Sequence, residues 1–110
     1  MWKKKKLETV EQFEPIVQEV KHFLLLKHSL TCPISRAAFA EYEKFVEDHP
    51  EVATYYLYVQ EARPLSNYIA ETFSIKHESP QALLFANGSV KWHTSHWSIT
   101  YDELKRQIIG

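Results

Sequence analysis

The chain has 110 residues and a formal net charge of −1, from 13 basic and 14 acidic side chains, with 45% apolar and 14% aromatic residues. That balance suits one globular domain spanning residues 1–110, and it supplies no overall field to draw the chain to nucleic acid or an anionic membrane. Glycine occurs only at Gly88 and Gly110, so no glycine-rich nucleotide loop can be written, and the single cysteine, Cys32, excludes an internal disulfide, a two-cysteine redox pair and zinc sites built on two thiolates.

The basic run Lys3 to Lys6 is followed by acidic, amphipathic sequence and not by a signal peptide's apolar region, and no stretch approaches about 18 apolar residues. A cytoplasmic protein with a reduced thiol is expected. Lys6 to Glu8 reads as a short strand. Thr9 and Gln12 form a capping-box pair ahead of Val10, Phe13, Val17 and Val20, which recur at helical spacing. Pro15 leaves two readings: a helix capped by Thr9 that kinks at it, or a restart at Glu14 with Pro15 as first residue. Phe23 to Leu26 is a short apolar run, consistent with a strand buried on both faces and ending at Lys27, His28 and Ser29.

After Thr31-Cys32-Pro33, the residues Ile34, Ala38, Tyr42, Phe45 and Val46 keep helical spacing until Asp48, His49 and Pro50. Val52 to Val59 is rich in β-branched and aromatic residues and reads as a second core strand. Pro64 opens a helix with the stripe Leu65, Ile69, Thr72 and Phe73. Gln81 to Ala86 is a third strand, turned by Asn87-Gly88 into Val90 to His93. Thr100 and Glu103 form a further capping-box pair before a helix carrying Tyr101, Leu104 and Ile108. The order β, α, β, α, β, α, β, β, α predicts parallel crossovers followed by an antiparallel hairpin, hence a three-layer α/β sandwich around a mixed sheet of four to five strands.

Proline is favourable in a first helical turn because its missing donor would be unpaired there anyway, so Cys32 falls at or beside a helix N-terminus. The partial positive charge and free N–H groups of that terminus favour the thiolate over the thiol. Arg36 one turn on, and Lys27 or His28 at the preceding strand end, are candidates to add positive potential. The plainer alternative is a small buried hydrophobe followed by a helix starter. Two features weigh against it: Ser35 stands three residues after Cys32, where a dithiol oxidoreductase carries its second cysteine, and Ser79-Pro80 directly precedes the third core strand.

Lys27-His28-Ser29, Thr31-Cys32-Pro33-Ile34-Ser35, His77-Glu78-Ser79-Pro80-Gln81 and Ser95-His96 with Ile99-Thr100 span nearly the whole chain in this order. In these motifs the sequence resembles the monothiol bacilliredoxins of the thioredoxin-like superfamily, also called the YtxJ family. The resemblance implies a thioredoxin-like fold and a thiol–disulfide oxidoreductase of the bacillithiol system, acting in redox homeostasis and the oxidative stress response. Cys32 would take bacillithiol from a mixed disulfide on a client protein, within an active-site motif of Thr31, Pro33, Ile34 and Ser35. Pro80 would be a cis-proline facing Cys32, with the Ser79 backbone pairing with the bound thiol or client. No bound cofactor is implied: bacillithiol is an external co-substrate, the partners are bacillithiolated proteins and the small thiol, and a monomer is expected. An alternative keeps the fold but makes the protein a redox-inert adaptor that holds partners along the Ser79-Pro80 edge.

Of the six histidines, His93 and His96 have a ligand-like spacing but lie in a strand or the loop after it, with no third ligand nearby, so no metal site is expected. His28, His77 and His96, within or beside the motifs, are candidates to tune the thiol or orient substrate. A phosphatase-type loop would want arginine where Ala38 stands, and a peroxiredoxin-type site proline where Leu25 stands. The lysine run reads as a solvated edge, and Trp2, Trp92 and Trp97 as packing or hairpin-face residues.

Overall fold

The structure is a computed structural model that describes residues 4–110; Trp2 and Lys3 lie outside the described residues. The elements follow the expected order: β1 (Lys5–Lys6), α1 (Val10–Glu19), β2 (His22–His28), α2 (Pro33–Asp48), β3 (Ala53–Tyr58), α3 (Arg63–Thr72), β4 (Gln81–Ala86), β5 (Ser89–Ser95), a 3₁₀ turn (His96–Ser98) and α4 (Tyr101–Ile108). The five strands form one mixed sheet in the order β1-β3-β2-β4-β5. β1 and β2 flank β3 in parallel, while β4 runs antiparallel to both β2 and β5.

Alternation along the strands sends side chains into two cores, one between the sheet and each helical layer. Phe23 and Leu25 of β2, Tyr55 and Leu57 of β3, and Leu83 and Phe85 of β4 pack with Phe13 of α1 and Leu65 and Ile69 of α3. Leu24, Leu26 and Ala82 face the other way, onto Ala38, Tyr42 and Phe45 of α2 and Leu104 of α4. Phe13 is the hub of the first core: its ring meets those of Phe23, Tyr68, Phe73 and Phe85 edge-on at 5.7–6.4 Å. Phe23 and Phe85 stack at 4.6 Å between centroids. Such pairs contribute about 0.5–1.5 kcal/mol each beyond the area they bury.

Several local expectations are revised. The first strand is Lys5–Lys6, one residue earlier than the predicted start, and the Lys6 ammonium pairs with Glu61 at 2.8 Å. The first helix runs through Pro15 from a complete capping box at Thr9 and does not restart. Glu11 and Pro15 are both exposed, so the carbonyl that Pro15 leaves unpaired four residues back lies on the solvent side. At α4 only half the box forms: Thr100 accepts the Glu103 N–H, but the Glu103 carboxylate is held by Arg106 and Gln107. Thr72 is exposed and outside the α3 stripe, and Trp97 is 70% exposed, so it packs no core. Asn87 (φ 52°) and Gly88 (φ 81°) both adopt the left-handed conformation that a two-residue hairpin turn requires. Among the described residues, no helix is long and apolar enough to cross a membrane.

Candidate active site

Cys32 is the N-cap of α2, with extended backbone, Pro33 in the first turn and no side-chain cap hydrogen bond. The first-turn N–H groups are therefore left to charge on the sulfur. The Ser35 main-chain N–H has the largest effect in holding the thiol below its ordinary range; loss of hydration opposes it, and the Ile34 N–H and Ser35 hydroxyl add to it. The sulfur stays partly exposed. Ser35 is fully buried, and its Oγ also accepts the Ser29 N–H at 3.2 Å, which ties the approach loop to the helix.

The second half of the site comes from the segment before β4. In the β2–β4 ladder Lys27 lies opposite Gln81, so Pro80 stands beside the end of β2 from which the chain runs on to Cys32. The Ser79–Pro80 peptide is cis. Pro80 O accepts the His96 N–H at 3.1 Å, with His96 at φ 56°, an uncommon conformation for a non-glycine residue. Ser95 Oγ donates to Glu78 at 3.1 Å, and His96 Nδ1 lies 3.7 Å from the other Glu78 oxygen. Ser79 takes part in none of the hydrogen bonds that tie its neighbours, and its buried Oγ has no partner among the described residues. A free sulfur at an open helix terminus thus shares one end of the sheet with an uncommitted stretch of main chain. Such an arrangement can attack a disulfide while pairing with the chain that carries it.

Residues 5–104 match the family described as monothiol bacilliredoxin BrxC. The chain belongs to the monothiol bacilliredoxin family. A solved thioredoxin-fold oxidoreductase is similar to this bacilliredoxin at 43% identity, covering 94% of this chain and 91% of that one, with a TM-score of 0.87. Spinach chloroplast thioredoxin f (23% identity, 97% and 91% covered, TM-score 0.77) and Saccharomyces cerevisiae mitochondrial thioredoxin 3 (15%, 96% and 92%, 0.75) share the fold. This bacilliredoxin therefore has a thioredoxin fold and a thiol redox function.

The residues considered as tuning groups fall in different places. Arg36 is exposed, and neither its charge nor those of Lys27 and His28 is among the influences that shift Cys32. His28 lies against the rings of Phe39 (4.7 Å) and Tyr58 (5.5 Å); burial lowers its pKa and favours neutral imidazole, against smaller opposing effects from the Ser35 backbone and Glu43. His96 belongs to the Pro80 segment, as described above. Lys27 is fully buried within β2, beyond the predicted strand end, on the face opposite α2; its Nζ meets Ser66 O at 3.1 Å and His77 Nδ1 at 3.3 Å. Gln60 carries no local motif in the sequence. It receives the Leu30 N–H at 3.0 Å and donates to Ser29 Oγ at 2.9 Å and Thr31 Oγ1 at 3.4 Å, clamping the loop that leads to Cys32. Its partners lie about thirty residues away, so no local pattern signals it. Among the described residues, no group of three or more His, Cys, Asp or Glu side chains could hold a metal ion.

Proposed function

We propose that this bacilliredoxin removes bacillithiol from client cysteines by a one-thiol cycle. The Cys32 thiolate attacks the bacillithiol sulfur of the mixed disulfide. The bond to the client sulfur breaks, the client leaves as a thiolate that takes a proton from water, and a Cys32–bacillithiol disulfide forms. A second thiolate from outside the chain then attacks the bacillithiol sulfur, restoring Cys32 and carrying bacillithiol away in a new disulfide. The observation that carries this reading is the pairing of Cys32, the only cysteine, with a fully buried serine at the position where a resolving thiol would stand.

The protein works in this reading as a cytoplasmic monomer with no resident cofactor, on bacillithiolated proteins and not on nucleic acid or membranes, with bacillithiol as external co-substrate. The Ser79 main chain pairs with the extended segment around the client cysteine, which gives affinity without demanding a sequence. The test incubates a bacillithiolated client with the protein and with Cys32→Ala, following client release and the mass of any adduct on Cys32. Release by the unsubstituted protein alone, with a bacillithiol adduct, is expected. Equal release by both proteins would overturn the proposal.

A further inference from the structure

Lysine is almost never fully buried without a paired charge, yet Lys27 is buried in β2 and the contacts of its ammonium are neutral. An apolar side chain of similar length would fill that volume without the desolvation cost. It could not donate a hydrogen bond from inside the core to the segment above. Lys27 does so to His77 Nδ1, and Ser66 Oγ of α3 stands 3.1 Å from the same nitrogen. Gln81, also fully buried and directly opposite Lys27, donates through Nε2 to Lys76 O at 3.0 Å. The segment 75–80 is thus gripped from the core at residues 76 and 77 and from the β5 side at 78 and 80, and Ser79 has no such tie among the described residues.

We propose that Lys27 is a positioning residue: by donating to His77 Nδ1 from the core it sets the segment 75–80 so that the Ser79 main chain is held ready for the disulfide-bearing partner of Cys32. This rests on the one-thiol reading above. An ammonium can only donate, so the bond requires His77 with Nδ1 unprotonated. The groups facing His77 are Lys27 from β2, Arg63 and Ser66 from α3, and Glu78 beside it. Burial first, then the charges of Lys27 and Arg63, lower the His77 pKa against the opposing Glu78, so the accepting form persists below the usual histidine range. Burial also brings Lys27 down to about 8, but a neutral amine keeps N–H donors, so the bond survives its deprotonation.

The experiment measures kcat and KM on a peptide carrying bacillithiol as a mixed disulfide, with excess bacillithiol as reductant, alongside the rate of Cys32 alkylation against pH. Lys27→Met and His77→Ala are expected to raise KM about tenfold while leaving the alkylation midpoint where it is. His77→Asn, whose side-chain oxygen can replace the Nδ1 acceptor, is expected to keep KM near the unsubstituted value and to lack the rise in KM expected of the unsubstituted protein once pH falls below the usual histidine range. Should Lys27→Met fail to fold, the two variants of His77, which is no part of the hydrophobic core, carry the test. Unchanged KM in Lys27→Met and His77→Ala would overturn the inference, as would an alkylation midpoint that moves with them, because Lys27 would then act on the sulfur. An inactive unsubstituted protein would overturn the one-thiol reading and this inference together; an active one with indifferent variants would overturn this inference alone.

Discussion

Helices α1 and α4 begin on threonines whose hydroxyls accept a first-turn N–H, at Thr9 and Thr100, whereas α2 begins on Cys32 and has no side-chain cap. The same local geometry, an extended N-cap followed by a helix, serves two ends. Where threonine stands, one free donor is satisfied and the helix is stabilised by about 1 kcal/mol. At Cys32 the donors are kept for a charge that exists only when the thiol ionises, and Ser35, one turn on, is fully buried and adds its hydroxyl. Helix α3, which begins on Ala62, is likewise uncapped, so what sets α2 apart is the sulfur placed where its open donors can favour a thiolate.

The substitution with the largest expected effect is Cys32→Ala, which should reduce release of bacillithiol from a mixed disulfide to the rate without protein, as read by mass spectrometry of the client. Ser35→Ala comes next. It orphans the buried Ser29 N–H and takes a hydroxyl from the sulfur, so chemical denaturation should show a loss of about 1–3 kcal/mol, and the alkylation midpoint of Cys32 should rise. A matched pair then addresses the caps directly. Thr100→Ala should cost about 1 kcal/mol and leave alkylation unchanged, while Cys32→Ser, which installs a capping hydroxyl, should raise the melting temperature as it abolishes activity. A fall in melting temperature for Cys32→Ser would break the comparison. The smallest effect belongs to Arg36→Ala, which should not move the Cys32 midpoint, since that charge is not among those acting on the sulfur.

The caps were legible in the sequence because they are local: a threonine, an acid or amide three residues on and an apolar stripe suffice to place them. Cys32 followed by Pro33 was legible for the same reason. Only half of the Thr100 box formed, because Glu103 found side-chain partners within its own helix. What escaped the sequence is long-range. Lys27 reads as the polar end of a strand, and only the pairing with Gln81 and the arrival of Ser66 and His77 above it explain how an ammonium is buried there. Gln60 reads as an ordinary loop residue until β3 brings it against residues 29–31.

Stability should respond to pH through His77. Its folded pKa is depressed, so its contribution is present above the unfolded value and is lost as pH falls through the folded one. Burial lowers the His28 pKa as well, so thermal melts from neutral pH downward would register both losses, and His77→Asn should reduce the total without abolishing it.

With a single cysteine in the chain, the rate of alkylation against pH reports on Cys32 alone. The folded protein is expected to show a midpoint below the ordinary cysteine value of about 8.5, a depression lost when the chain is unfolded in denaturant. A midpoint at or above that value in the folded protein would contradict the claim that the open end of α2 holds a thiolate.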